Sequence, residues 1–498
     1  MSMGRRGVFT PMRFEADVEE CLVDGELPRD LAGGFYRCGP TWKRPSRQNI
    51  DTVFTMDGMV QALILRDGRA NFRNRWIRTP KYLAEERAGR ALFEWADGDF
   101  GDWRAWGLGD VVRDEYTRYV PQGVSAANSF PFAGQVLTSG EQGLPPMVLD
   151  PITLETKGMV PWAPALDRGM AEKVCYGDGT FTAHPKWDSR TGELYGLSYS
   201  DVEPFVTMYW VTPDGAVRSR ALWDAPYAQV AHDMWLTEDW IVVPFQPFTI
   251  SRERIAKDDG AYGWEPTLPI KLALVPRSDL SADIRWITAD IEPEYIMHTL
   301  AANTDGGTIT LDAPIFGRPP FQTSDISEPG DRSIPFFQVA SSTMGRWTID
   351  LATGAVSTER TGDRLVELPK IDERFFGRPY RWGFLLGGTE STVRKEGMRM
   401  DSLIQRDVRT GEERSYQITD DRHVAVLEPV FAPRTPDAPE GDGYVIVALS
   451  KFMESRGEYQ IFDTDDITAG PIARIELPFH IGWTPHGHWM DFRDAGLG

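Results

Sequence analysis

The residues best equipped for chemistry in this chain are seven histidines: His184, His232, His298, His423, His480, His486 and His488. Four contexts are separate from one another: Phe181-Thr-Ala-His184-Pro, Val230-Ala-His232-Asp, Ile296-Met-His298-Thr and Pro485-His486-Gly-His488-Trp. Four neutral imidazoles suit a borderline divalent metal such as iron(II). The spacings used for zinc are missing: there is no Cys-x-x-Cys and no His-Glu-x-x-His, and the thiols Cys21, Cys38 and Cys175 are scattered. Nor is there a clear signature of two histidines and one carboxylate. A lone histidine in a β-rich chain is ordinarily a hydrogen-bonded surface or core residue. A metal site therefore needs a fold that gathers distant residues. His486 and His488 share a face if their segment is extended, and an intervening turn would part them. The spacing leaves the choice between them open and does not exclude His480.

The elements that would position these residues are short strands joined by tight turns. Leu63 to Phe72 carries an Asp67-Gly68 turn between apolar or alternating flanks, a strong hairpin signal. Similar turns fall at Thr191-Gly192, Asp214-Gly215, Asp305-Gly306, Thr353-Gly354 and Thr410-Gly411. Length alone suggests about three domains. Yet no Gly- or Ser-rich linker divides the 498 residues, so the pattern predicts one closed all-β domain over 1–498. A β-propeller fits best, because radial repetition accommodates many hairpins without long exposed edges, and its innermost strands meet around one axis. Blade number is not countable from the degenerate repeat. The clearest helical stretch is Lys81 to Phe93, with Leu83, Ala84, Leu92 and Phe93 as its apolar positions.

Composition narrows the partners. Acidic side chains outnumber basic ones 74 to 53, a formal charge of −21. Nucleic acid and anionic lipid both require clustered Lys and Arg, so neither is expected. No apolar run approaches the roughly 20 residues needed to span a bilayer. The first twenty residues lack the apolar core of a secretory signal. An odd number of cysteines without a close pair points to reduced thiols, and the expected location is the cytoplasm.

The four histidine contexts, with the terminal His486-Gly-His-Trp489, resemble those of the carotenoid cleavage oxygenase family. The likeness runs nearly end to end, through Phe35-Tyr-Arg37, Met56-Asp-Gly-Met59, Glu141 before Leu149-Asp-Pro-Ile-Thr-Leu-Glu155, Glu367-Leu-Pro-Lys-Ile-Asp372 and Glu428-Pro-Val-Phe-Ala-Pro-Arg434. Asn74-Arg-Trp-Ile-Arg78, Leu83-Ala-Glu-Glu-Arg87 and Leu92-Phe93 most resemble the lignostilbene dioxygenase branch. The resemblance implies a seven-bladed β-propeller with a loop and helix dome over its top face. It implies Fe(2+) held by His184, His232, His298 and His486, with Glu141, Glu367 and Glu428 orienting three of those rings. It leaves His488, His480 and His423 as ordinary hydrogen-bonded residues.

The implied activity is scission of an alkene by O2 into two carbonyl products, on a small hydrophobic substrate of stilbenoid or phenylpropanoid type. Dioxygen supplies both oxygen atoms and all oxidising equivalents, which agrees with the lack of any dinucleotide fingerprint or P-loop. Phe54 matches an aromatic that stacks on the stilbene ring. Two departures stand out. Those enzymes grip a phenol with a Lys just before the first Glu and a Tyr after the early helix. Here the Lys position holds Gly140, and Glu94 to Trp103 contains no Tyr. An apocarotenoid or other polyene is the alternative substrate, and a non-catalytic binding propeller is the alternative of another class.

Overall fold

The computed structural model describes residues 10–45, 56–93, 120–121, 123–141, 143–166, 180–251, 253–254, 262–279, 281–320, 324–325, 342–388 and 400–497. Strand pairing resolves these residues into seven antiparallel blades and one small sheet. Blade 1 runs from His486–Asp491 through Gly33–Thr41, Asp57–Arg66 and Arg69–Trp76 to Ala16–Val18 at its edge. Blade 2 is Asn128–Phe132, Gln135–Ser139, Met147–Leu149 and Thr156–Met159. Blade 3 is Lys186–Trp187, Leu194–Tyr199, Val206–Val211 and Val217–Ala221. Blade 4 is Trp235–Leu236, Trp240–Phe245, Ile270–Pro276 and Arg285–Ala289.

Blades 5 and 6 share the long strand Val356–Ile371. Its first half pairs with Ser342–Asp350 of blade 5, which continues to Thr308–Phe316 and Ala301–Asp305. Its second half pairs with Trp382–Gly388, followed by Ser402–Asp407 and Glu413–Gln417 of blade 6. Blade 7 sets Val424–Val426 and Val430–Pro433 against Gly443–Lys451, then Arg456–Asp463 and Ala473–Leu477. The ring closes twice. The C-terminal His486–Asp491 pairs with Gly33–Thr41, and the N-terminal Leu22–Gly25 pairs with Ala473–Leu477.

Middle strands are buried on both faces because each blade is packed between two others. Leu194–Tyr199 and Val206–Val211 are buried throughout, whereas the outer Val217–Ala221 is half exposed. β-branched and aromatic side chains suit such strands, where branched and flat groups fill a pleated surface. The Asp67-Gly68 turn forms as expected: Arg66 pairs with Arg69, and both loop residues have positive φ, 53° and 71°. At Asp305-Gly306 the expectation is off by one residue. Asp305 pairs with Thr308, so the loop is Gly306-Gly307, the residues able to take two positive φ values.

The helix is shorter than expected, Pro80–Ala88. Thr79 caps its start by accepting the N–H of Tyr82, and Gly89 stops it in the left-handed region. Leu83, one of its apolar positions, is 41% exposed. The residues turned inward are Lys81, Tyr82, Ala84 and Glu85. Lys81 Nζ lies 2.9 Å from Asp57 Oδ1 and 3.1 Å from Glu85 Oε2, tying the helix to blade 1. Outside the blades, Phe248–Ile250, Tyr262–Trp264 and Ser324–Asp325 form the small extra sheet. No helix among the described residues is long and apolar enough to cross a membrane.

Candidate metal centre

Each blade delivers one residue to a common centre. His184 precedes the innermost strand of blade 3, His232 that of blade 4 and His298 that of blade 5, while His486 opens the innermost strand of blade 1. The rings of His232, His298 and His486 lie 4.4, 4.9 and 4.4 Å from that of His184, centroid to centroid. His298 is also 5.2 Å from His232 and 4.9 Å from His486. The Nε2 atoms of His232 and His298 face each other at 3.3 Å. Ligand atoms of His184, His298 and His486 all fall within 4.8 Å of one another, as do those of His184, His232 and Glu141.

Blades 2, 6 and 7 supply the carboxylates. Glu141 Oε2 is 3.4 Å from His232 Nδ1, Glu367 Oε2 is 2.8 Å from His298 Nδ1, and Glu428 Oε1 is 2.9 Å from His486 Nδ1. An Nδ1–H given to a carboxylate leaves Nε2 as the lone-pair nitrogen and makes it more basic. The carboxylates are anchored in turn. Tyr199 donates its hydroxyl to Glu141 Oε1 at 2.6 Å, and Gly487 N–H donates to Glu428 Oε2 at 3.0 Å. Arg37, fully buried, donates to the Glu428 carbonyl at 2.6 Å and to the Thr484 hydroxyl at 2.8 Å.

Electrostatics favour neutral ligands at two of the rings. Burial, then the neighbouring histidines, hold His184 well below the ordinary imidazole value. Burial, outweighing Glu428, pushes His486 down to about 3. Burial lowers His298 too, but Glu367 beside it wins and raises it. Glu428 is buried, yet Lys370, His486 and Arg37 keep it ionised well below the usual carboxylate range. The residues present fit a metal ion: His184 Nε2 is buried without a hydrogen-bond partner among the described residues, beside three further imidazoles.

His488, one strand step beyond His486, turns away from the cluster. Its Nδ1 is 2.6 Å from Glu373 Oε1, its Nε2 is 3.1 Å from Asn128 Nδ2, and Trp187 packs against its ring at 5.2 Å. His423 stands elsewhere, its ring 5.8 Å from that of Phe452. Phe54 and Glu94 to Trp103 lie outside the described residues. Gly140 is where it is for a steric reason as well: a Cβ there would lie 2.7 Å from the carbonyl oxygen of Val124. Sequence reasoning passed over Lys186, Asp233, Thr299, Lys370 and Glu373. The available signal was adjacency, since Lys186, Asp233 and Thr299 each stand within two residues of a candidate ligand.

The model of the retinal pigment epithelial membrane protein family matches residues 9–491. The chain is 30% identical to isoeugenol monooxygenase of Pseudomonas putida, over 97% of each chain. It is 29% identical to lignostilbene-alpha,beta-dioxygenase isozyme III of Sphingomonas paucimobilis, over 98% of this chain and 97% of that one. Its fold superposes on the crystal structure of Pseudomonas brassicacearum lignostilbene dioxygenase with a TM-score of 0.82 at 30% identity, covering 98% of both chains. The chain thus belongs to the retinal pigment epithelial membrane protein family, the carotenoid cleavage oxygenases, enzymes that split carbon–carbon double bonds with dioxygen.

Proposed function

We propose that this protein is a non-haem iron(II) dioxygenase that splits the double bond of a small aryl alkene, R–CH=CH–R′ + O2 giving RCHO + R′CHO. The observation that carries this is the meeting of four histidines from four blades, three of them backed by Glu141, Glu367 and Glu428. His184, His232, His298 and His486 would hold the ion through neutral imidazole nitrogens. Iron, when bound, would supply the activation of O2 that an organic side chain cannot. The chain's own part is to aim the imidazoles through their carboxylate partners and, by burial, to keep His184 and His486 neutral. Related enzymes named for isoeugenol and lignostilbene support a phenylpropanoid or stilbenoid as substrate.

Two measurements test this. Anaerobic loading followed by metal analysis should give about one iron per chain. Incubation of the loaded protein with a panel of stilbenes, propenylphenols and apocarotenals under labelled O2 should give two aldehydes from the aryl alkenes, each carrying label. Iron-free protein with no cleavage of any panel member would refute the proposal.

A further inference from the structure

The carboxylate of Asp233 joins three of the four histidine-bearing segments. Asp233 follows His232 directly and is 5% exposed. Its Oδ1 lies 2.9 Å from Lys186 Nζ and accepts the N–H of Met234 at 2.7 Å. Its Oδ2 accepts the N–H of Thr299 at 2.8 Å and the Thr299 hydroxyl at 2.9 Å. Lys186 stands two residues after His184, and Thr299 directly after His298. The adjoining strands Lys186–Trp187, Trp235–Leu236 and Ala301–Asp305 belong to three different sheets. No backbone ladder therefore sets the distance between one histidine and the next.

That gap matters. A metal site tolerates errors of only about 0.5 Å in the placement of its ligands, so something must register blades 3, 4 and 5 against one another. A buried ion pair is weak evidence for stability, because desolvation consumes most of its attraction; its best-attested use is fixing register. Here one buried carboxylate accepts from an ammonium and two chain segments across those blades, and the ammonium also sits 5.4 Å over the ring of Phe376.

We propose that Asp233 is a positioning residue, whose carboxylate fixes the spacing of His184, His232 and His298. This rests on the four-histidine metal site proposed above. The test uses full-length, metal-stripped protein titrated with Co(II) against a competing chelator, with the visible Co(II) spectrum and the melting temperature of the metal-free protein recorded alongside. Wild type should bind about one Co(II); its failure to bind would overturn the metal site, and this inference with it.

Asp233→Asn keeps the shape but leaves Lys186 unpaired, so the informative variant is Lys186→Met/Asp233→Asn, which removes both charges. It should melt near wild type when metal-free, yet bind Co(II) roughly 10–100-fold more weakly and with an altered spectrum, the usual scale for a partner behind the ligands. Asp407→Asn, which removes the partner of Arg381 in blade 6, is the control for stability loss alone. Should the double variant not fold, Thr299→Val carries the same measurements. Wild-type affinity and spectrum, or a loss no larger than that of Asp407→Asn, overturns the assignment.

Discussion

At the scale of single residues, His486 and His488 make opposite predictions. His486 sits among the other three rings, whereas His488 is spent on Glu373 and Asn128. His486→Ala should lose the metal. His488→Ala should keep it, while costing about 1–3 kcal/mol because Glu373 loses a buried hydrogen bond. Metal analysis and urea unfolding of both variants check this, and a His486→Ala protein with full metal would overturn the ligand set. Glu141→Gln, Glu367→Gln and Glu428→Gln should each fold and lose roughly 10–100-fold in metal affinity, read by chelator competition. Gly140 bears on the substrate. With a Cβ barred there by the Val124 carbonyl, no long side chain reaches a phenol from this position. A site built to bind a hydroxyl rejects analogues lacking it. This enzyme should therefore separate 4-hydroxystilbene from its 4-methoxy analogue only weakly in kcat/KM. A strict need for the hydroxyl would show a phenol-binding group elsewhere. Phe54→Ala should weaken cleavage of both, since ring stacking contributes about 0.5–1.5 kcal/mol.

At the scale of elements, the strand Val356–Ile371 carries the most. Residues three apart on a regular strand point to opposite faces. Its register with Trp382–Gly388 shifts between Glu367 and Lys370, at Leu368 with φ +54°. The irregularity lets one strand end present Glu367 to His298 and Lys370 to the neighbouring blades, where Lys370 Nζ is 3.3 Å from Glu428 Oε2 in blade 7 and 3.1 Å from the Gly487 carbonyl in blade 1. Lys370→Met would strand Glu428 with one fewer cation in a buried site. It should cost about 3–5 kcal/mol, the usual penalty for removing one member of a buried pair. Urea unfolding of metal-free protein measures it, and a loss under about 1 kcal/mol would show that Arg37 suffices.

At the scale of the whole molecule, gathering four imidazoles on one axis carries a pH cost in the metal-free state. His184, His486 and His488 are lowered by burial, so the folded chain resists protons that the unfolded chain accepts below about 6.5. Each contributes stability that is full above that value and lost as pH falls. His298, raised, works in the opposite sense, against His184 held well below the ordinary value and His486 at about 3. Glu428, lowered, matters only nearer pH 4. Metal-stripped protein should accordingly unfold at lower urea at pH 5.5 than at pH 7.5. An equal or higher midpoint at pH 5.5 would contradict the neutral, buried rings.

The sequence by itself determined the turns and the local chemistry. Asp67-Gly68 forms its hairpin because those residues accept positive φ in any context, and Thr79 with Gly89 bounds the helix for equally local reasons. The motifs around His184, His232, His298 and His486 carried the family likeness without a structure. What only the tertiary structure decided is whatever depends on distance between blades. Spacing alone leaves His486 and His488 open and the family likeness favours His486; the structure shows that the His486 ring is the one lying against His184 and His298. The burial of Lys81 and Glu85 in place of Leu83 follows from Asp57 waiting across the interface. Asp233, Lys186 and Lys370 read as ordinary charges in a line of text. They acquire a role because blades with no ladder between them must be registered by side chains, and a side chain's partner in another sheet leaves no periodic trace in the sequence.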